Sequence, residues 1–155
     1  MDDLGLLHPG VLMAHAVWIT DDDITRTGAA GVSESCNATS KLKFGSGLCP
    51  VRKLPAAGVN VGPGTDGAAS NDTMREFDVM RVAPLAQTLN GPAPDAWLLV
   101  GEVLTAATIG GARTTLLGHK TGLVACGKKA DRTFLGTRHA TSFTPWSDPV
   151  RQLVQ

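Results

Sequence analysis

Val61-Gly62-Pro63-Gly64-Thr65-Asp66-Gly67-Ala68-Ala69-Ser70-Asn71 is an apolar segment that stops at one carboxylate and breaks into a loop of small residues. Read alone, its Pro63-Gly64 and Asp66-Gly67 pairs are ordinary turn formers. Read as the end of a strand, it puts Asp66 at the C-terminal mouth of a parallel sheet. Barrel enzymes carry their ligands and bases there. The neighbouring segments decide between the two readings.

Val11-Leu12-Met13-Ala14-His15-Ala16-Val17 is an apolar run holding one histidine and reads as a buried strand of a parallel sheet. Thr20-Asp21-Asp22-Asp23 follows, with Thr20 or Asp21 as N-cap and acids in the first turn. The helix it opens is expected to reach about Thr27 and close at Gly28. Gly31–Ser35 reads as a second, weaker strand and Cys36–Gly47 as a polar loop. Pro50–Ala57 reads as a short helix stopped by Gly58. Val59–Gly62 is the third strand and leads into Asp66. Thr73–Thr88 has helical spacing, with Met74, Phe77, Met80, Val82 and Leu85 expected on one face. After a turn at Asn90–Asp95, Trp97–Leu117 is a long helical pattern weakened by Gly110-Gly111. A turn at Gly127–Asp131, an extended piece at Arg132–Leu135 and an irregular, proline-punctuated tail complete the chain. Strands alternating with helices imply right-handed βαβ units and a parallel sheet. Three strands with two open edges do not close a barrel, and open edges are a liability. The fold class is therefore α/β, part of a larger sheet.

The composition sets further bounds. At 155 residues the chain has the size of one domain, and a hydrophobic fraction of 43% is enough for a core. Fourteen basic residues balance fourteen acidic ones, so no basic face for nucleic acid is expected. Cys36, Cys49 and Cys126 are odd in number, widely spaced and without a CxxC pair, which supports neither a zinc knuckle nor a disulfide framework. A reduced, cytoplasmic setting is the corresponding expectation. The acidic start Met1-Asp2-Asp3 is unlike a signal peptide. The longest apolar run, Val11–Ile19, is too short to cross a membrane.

Three stretches carry a resemblance: Leu12-Met13-Ala14-His15-Ala16-Val17-Trp18, Asn37-Ala38-Thr39-Ser40-Lys41-Leu42-Lys43-Phe44-Gly45-Ser46-Gly47, and Gly64-Thr65-Asp66-Gly67-Ala68-Ala69-Ser70-Asn71. In this order and spacing the chain resembles the amidohydrolase superfamily, within it the methylthioadenosine/S-adenosylhomocysteine deaminases and the related triazine chlorohydrolases. Met80-Arg81, Ala107–Arg113, Gly127–Asp131 and Asp148-Pro149-Val150 agree. The resemblance implies a (β/α)8 TIM barrel beside a small β-sandwich, of which this chain is the C-terminal part. Residues 1–118 would hold barrel strands six to eight, and residues 119–155 would enter the sandwich.

The same resemblance implies a divalent metal, zinc or iron, that activates a water for hydrolytic deamination of a heterocyclic amine. The substrate would be purine- or adenosine-like, or triazine-like. It implies Asp66 as metal ligand and proton carrier, and His15 as the group that polarises the water and steadies the tetrahedral adduct. Ser70 and Asn71 would support Asp66 from behind or, on the plainer reading, cap the next helix. Asn37, Thr39 and Ser40 would line the substrate mouth or form a solvated loop. Cys36 stands where relatives have a histidine and reads as a buried thiol.

The family's His-x-His pair on strand one and its strand-five histidine have no counterpart here, and His8, His119 and His139 form no such pattern. One carboxylate and one histidine do not hold a catalytic zinc, which takes three or more protein ligands. The chain alone is therefore expected to bind metal weakly and to be inactive, needing a missing N-terminal half or a homo-oligomer. The alternative is a decayed, non-catalytic remnant with at most an association role. Pro55 and Pro84 within helices, Pro63 in a strand, Lys41 in place of an asparagine and Arg132-Thr133 in an apolar strand are departures that favour it. A third reading takes the glycine-rich turn as a phosphate cradle. It matches neither GxGxxG nor a Walker loop, and Asp66 would repel phosphate.

Overall fold

The computed structural model describes residues 2–90, 93–137, 143 and 145–154. Its centre is a three-stranded parallel sheet of order β1-β2-β3: β1 Leu12–Ala14, β2 Ser33–Cys36 and β3 Asn60–Pro63. Leu12 pairs with Ser33 and Ser33 with Asn60, so all three strands end at one edge of the sheet. β1 is shorter than the apolar run suggests. His15 and Ala16 turn to positive φ, 77° and 35°, and end it.

Local chemistry explains the helices. The first, α1 Asp21–Ala29, is capped reciprocally by Thr20 and Asp23: the Asp23 N–H donates to Thr20 Oγ1 at 3.2 Å and the Thr20 N–H to Asp23 Oδ2 at 3.0 Å. It runs past Gly28, the expected stop, and closes before Gly31 at φ 67°. The expected loop after β2 is instead helix α2, Ala38–Phe44, ended by Gly45 in the left-handed conformation. Next come α3 Lys53–Ala56 and, after β3, α4 Ala68–Asn71.

The longest helix, α5, spans Glu76–Gln87. Of the face expected from Met74, Phe77, Met80, Val82 and Leu85, Met80 is buried and Val82 packs against the core, but the rest of the buried stripe is Val79, Ala83, Ala86 and Gln87. The smaller residues at i, i+4 and i+7 allow close packing, while Met74 and Leu85 stay exposed. Pro55 lies in the first turn of α3, where an N–H is not needed, and Pro84 removes one bond near the end of α5.

The expected single helix over Trp97–Leu117 is α6 Val100–Thr105, a π turn Ala106–Gly110 and α7 Gly111–Thr114. Gly110 explains the turn: a Cβ there would lie 2.3 Å from the Val61 carbonyl oxygen of β3. Arg132–Leu135 forms no strand. The tail is not wholly irregular either, because α8, Pro149–Val154, starts under an Asp148 cap that accepts from the Val150 and Arg151 N–H groups. No helix among the described residues is long and apolar enough to cross a membrane.

One core lies between the sheet and α1, α3 and α5, built from Ile24, Cys36, Ala38, Cys49, Val51, Leu54, Val59 and Ala83. A second joins Met80, Val103 and Val154. Glu34, in the middle of β2, is fully buried and neither carboxyl oxygen has a partner. Burial pushes its pKa up to about 8, so the folded chain carries it as a neutral acid at neutral pH. An acid with a raised folded pKa stabilises fully below its unfolded value and loses that stabilisation as pH rises through the folded one. Urea unfolding should therefore show stability falling between pH 4.5 and 8, by at most about 1.4 kcal/mol per pH unit from this group. Glu34→Gln should remove that component of the slope and be the more stable protein at pH 8.

Candidate active site

The parallel register brings the ends of all three strands together. His15 follows β1, Asn37 follows β2, and Asp66 lies three residues beyond β3. His15 is seated by its backbone N–H, which donates to the Ser35 carbonyl oxygen at 3.1 Å. Its Nε2 is 4.0 Å from Asp66 Oδ2, and its buried Nδ1 has no partner. Asp66 has φ 63°, a strained conformation for a residue with a side chain.

Two donors hold the Asp66 carboxylate. Ser40 Oγ, fully buried on α2, donates to Oδ2 at 2.6 Å, and the Gly67 N–H donates to Oδ1 at 2.8 Å. The Ser40 hydroxyl first, then the Gly67 amide, hold the Asp66 pKa below the usual carboxylate range, with smaller help from Ser70 and His15. This is a preformed anion with both oxygens oriented. It is suited to accept a proton or to contribute one ligand to a cation.

The other candidates separate. Ser70 Oγ donates to the Gly67 carbonyl oxygen at 2.9 Å and so closes the first turn of α4. Asn71 is 3% exposed, and neither amide atom has a partner, Asp66 included. Thr39 Oγ1 is buried and unpartnered. Asn37 occupies the N-cap position of α2 without making the cap bond, and its buried Oδ1 is unpartnered. A Cβ on Gly64 would meet Ser35 Oγ at 2.5 Å and Asn37 Nδ2 at 2.8 Å, so that glycine lets β3 pass close to both side chains. Ser35 carries no motif of its own in the sequence. It lies two residues before Asn37, and the period of two in a strand is the signal that puts both on one face.

His15 and Asp66 fall short of a metal site on their own. Among the described residues no group of three or more His, Cys, Asp and Glu side chains could hold a metal ion. Cys36 lies in the apolar core beside the sheet, and His139 falls outside the described residues. The phosphate-cradle reading loses support: the Gly67 N–H at the start of α4 is already taken by Asp66.

Comparison with known proteins agrees with the fold. Residues 1–152 match the model of the amidohydrolase family. The chain is 41% identical over 154 residues to a 5'-deoxyadenosine deaminase of Methanosarcina barkeri, covering 99% of this chain and 35% of that protein. It is 43% identical over 131 residues to a 5-methylthioadenosine/S-adenosylhomocysteine deaminase of Desulforudis audaxviator, covering 84% of this chain and 30% of that protein. A crystal structure of an adenosine deaminase from Xanthomonas campestris with bound zinc superposes with a TM-score of 0.91 at 33% identity, covering 99% of this chain and 34% of that one. The chain thus spans about a third of the length of the relatives it matches. Its three strands and helices are part of a TIM-barrel enzyme fold.

The Ser40 hydroxyl is the principal support of the Asp66 anion. Ser40→Ala should raise the Asp66 pKa toward the ordinary carboxylate value, read from the titration of its 13Cγ resonance. An unchanged titration would assign the support to the Gly67 amide alone.

Proposed function

This chain belongs to the amidohydrolase family, and we propose that it is the C-terminal portion of a metal-dependent aminohydrolase that releases ammonia from an adenosine-like heterocycle. The observation that carries the proposal is the Asp66 carboxylate, held ionised by Ser40 and Gly67 with the His15 imidazole 4.0 Å away. The deaminase relatives and the zinc-bound neighbour support the reaction class. A triazine-like substrate remains within it.

In this reading Asp66 would be one ligand to a divalent metal, zinc or iron, which would activate a water, and its carboxylate would take a proton from that water and pass it to the departing amino group. His15 donates to the oxygen that becomes negative in the tetrahedral adduct. Asn37 and Thr39 offer unpartnered polar atoms near the strand ends, and they are the proposed contacts for the heterocycle. Ser40 positions Asp66, and Ser70 stiffens the turn behind it. Asn71, buried at the end of the same turn with neither amide atom partnered, offers a further polar contact. Residues 119–155 are the proposed entry into the sandwich. The remaining metal ligands must come from outside this chain, so it is inactive alone, in a cytoplasmic setting.

A second reading, a non-catalytic remnant, is favoured by one observation: the fully buried, unpartnered carboxylate of Glu34 at the centre of the sheet. Such a group costs stability and serves no partner.

Two measurements separate these. The purified chain should take up zinc well below one equivalent and release no ammonia from 5'-deoxyadenosine. Tight one-to-one zinc binding would defeat the claim that ligands are missing. Co-expression with the unmatched two-thirds of the Methanosarcina barkeri relative should restore deamination, and Asp66→Ala should abolish it. No activity in that pairing favours the remnant.

A further inference from the structure

Asp66-Gly67 is the one Asp-Gly pair in the chain. In such a pair the following amide nitrogen can close on the aspartate Cγ, because glycine has no Cβ to shield it. The products are a succinimide and then isoaspartate. Here the fold does not demand the glycine. Gly67 has φ −72° and ψ 153°, which any residue adopts. A Cβ on it would meet only Ser70 Oγ, at 3.7 Å, an ordinary contact. Asp66, by contrast, is held at φ 63° in the left-handed region. A rearrangement that lengthens its main chain would release that strain.

The structure puts the reacting atoms side by side in an unreactive orientation. The Gly67 N–H donates to Asp66 Oδ1 at 2.8 Å. A donor to an sp² oxygen lies near the plane of the carboxylate. Ring closure needs the nitrogen above that plane, over Cγ. Turning the carboxylate about its Cβ–Cγ bond is the motion that would expose Cγ in this way. Ser40 Oγ opposes the turn by donating to the other oxygen, Oδ2, at 2.6 Å. Ser40 is fully buried on α2, and Lys43 of the same helix donates to the Ala69 carbonyl oxygen of α4 at 3.2 Å. The anchor is therefore part of the packed structure and not of the loop it restrains.

We propose that Asp66-Gly67 is a latent isoaspartate site that Ser40 keeps closed. When the restraint fails, the Gly67 nitrogen bonds to Asp66 Cγ. One carboxyl oxygen leaves as water, with the amide proton and a proton from solvent. Water then cleaves the bond between that nitrogen and the Asp66 main-chain carbonyl carbon, adding hydroxyl to the carbon and a proton to the nitrogen. The Asp66 side chain is 29% exposed, so water reaches the ring. The carboxyl group that is left hangs directly on Cα, one bond shorter than before. It loses its place between Ser40 and the Gly67 amide, and the His15–Asp66 pair is broken. Ser40 thus guards the integrity of the loop, whether or not the chain is catalytic.

Incubation of the purified full chain at physiological temperature tests this. Peptide mapping with a protease that cuts at aspartate and not at isoaspartate, followed by mass spectrometry, gives the rate at Asp66. Deamidation at Asn90-Gly91 of the same chain serves as an internal clock. The native chain should isomerise more slowly than the same chain in denaturing urea. Ser40→Ala should raise the native rate about tenfold, the factor carried by one hydrogen bond to a charged group, and leave the Asn90 clock unchanged. Gly67→Ala in the Ser40→Ala background should return the rate to that of the parent chain. Where circular dichroism shows Ser40→Ala unfolded, Ser40→Cys keeps the volume, weakens the donor and takes its place. A native rate indifferent to Ser40, a native rate equal to that in urea, or a rise shared equally by Asn90 overturns the proposal.

Discussion

Parallel pairing through β2 is the constraint on which the rest depends. Because Leu12, Ser33 and Asn60 are in register, the residues that follow each strand emerge at one edge within reach of one another. Parallel strands cannot be joined by tight turns, so each connection must cross the sheet and return. α1 and α3 make those crossings, and with α5 they supply the core that covers one face of the sheet. His15 and Asp66 meet because of that topology, although 51 residues separate them in sequence. Asp66 is then fixed from the side by α2 through Ser40, so the site depends on a helix as well as on the sheet.

The fold was legible where local chemistry speaks alone. Thr20 and Asp23 announce a helix start, and the apolar runs ending near His15 and Asp66 announce strands. The α2 helix is hidden in the sequence because its Thr, Ser and Lys residues look like loop composition, although Gly45 is the stop signal that follows a helix. The buried face of α5 is only partly legible from large apolar residues, because the small Ala83 and Ala86 line it as well. The sheet leaves room near α5 for Val79 and Ala83, not for Phe77 or Leu85. The π turn needed a tertiary fact: Gly110 must pass the Val61 carbonyl, and nothing local to Gly110-Gly111 says what approaches it.

In the candidate site, the meeting of His15 with Asp66 and the nearness of Ser40 were legible through residue order and spacing. The direction of each side chain was not. Asn37 looks like a helix cap and sits at the cap position, yet it makes no cap bond. Asn71 looks like a support for Asp66 and makes no bond to it. The Asn37 Oδ1 and both amide atoms of Asn71 lie buried without partners, an arrangement that costs about 1–3 kcal/mol per group when nothing fills it. Composition cannot reveal such a vacancy in bonding, because the same residue is equally at home capped, solvated or waiting for a ligand.

Several of the unpartnered groups share a location. His15 Nδ1, Asn37 Oδ1 and Thr39 Oγ1 lie at or just beyond the strand ends, where an incoming ligand or chain would supply partners. Glu34 lies in the centre of β2, away from that mouth, and burial has already neutralised it. A polar group at the mouth is costly only until the site is filled. A carboxyl group inside the core is costly in every state that keeps it charged. The two kinds of unpaired group therefore argue in opposite directions. Those at the mouth fit a site that awaits completion, whereas Glu34 fits a sheet no longer held to the requirements of a fully apolar barrel wall. Asp66 weighs more on the first side. Its anion is held by a turn bond to the Gly67 N–H and by the buried Ser40 hydroxyl of α2, and that second, non-local bond is more than a loop needs in order to turn.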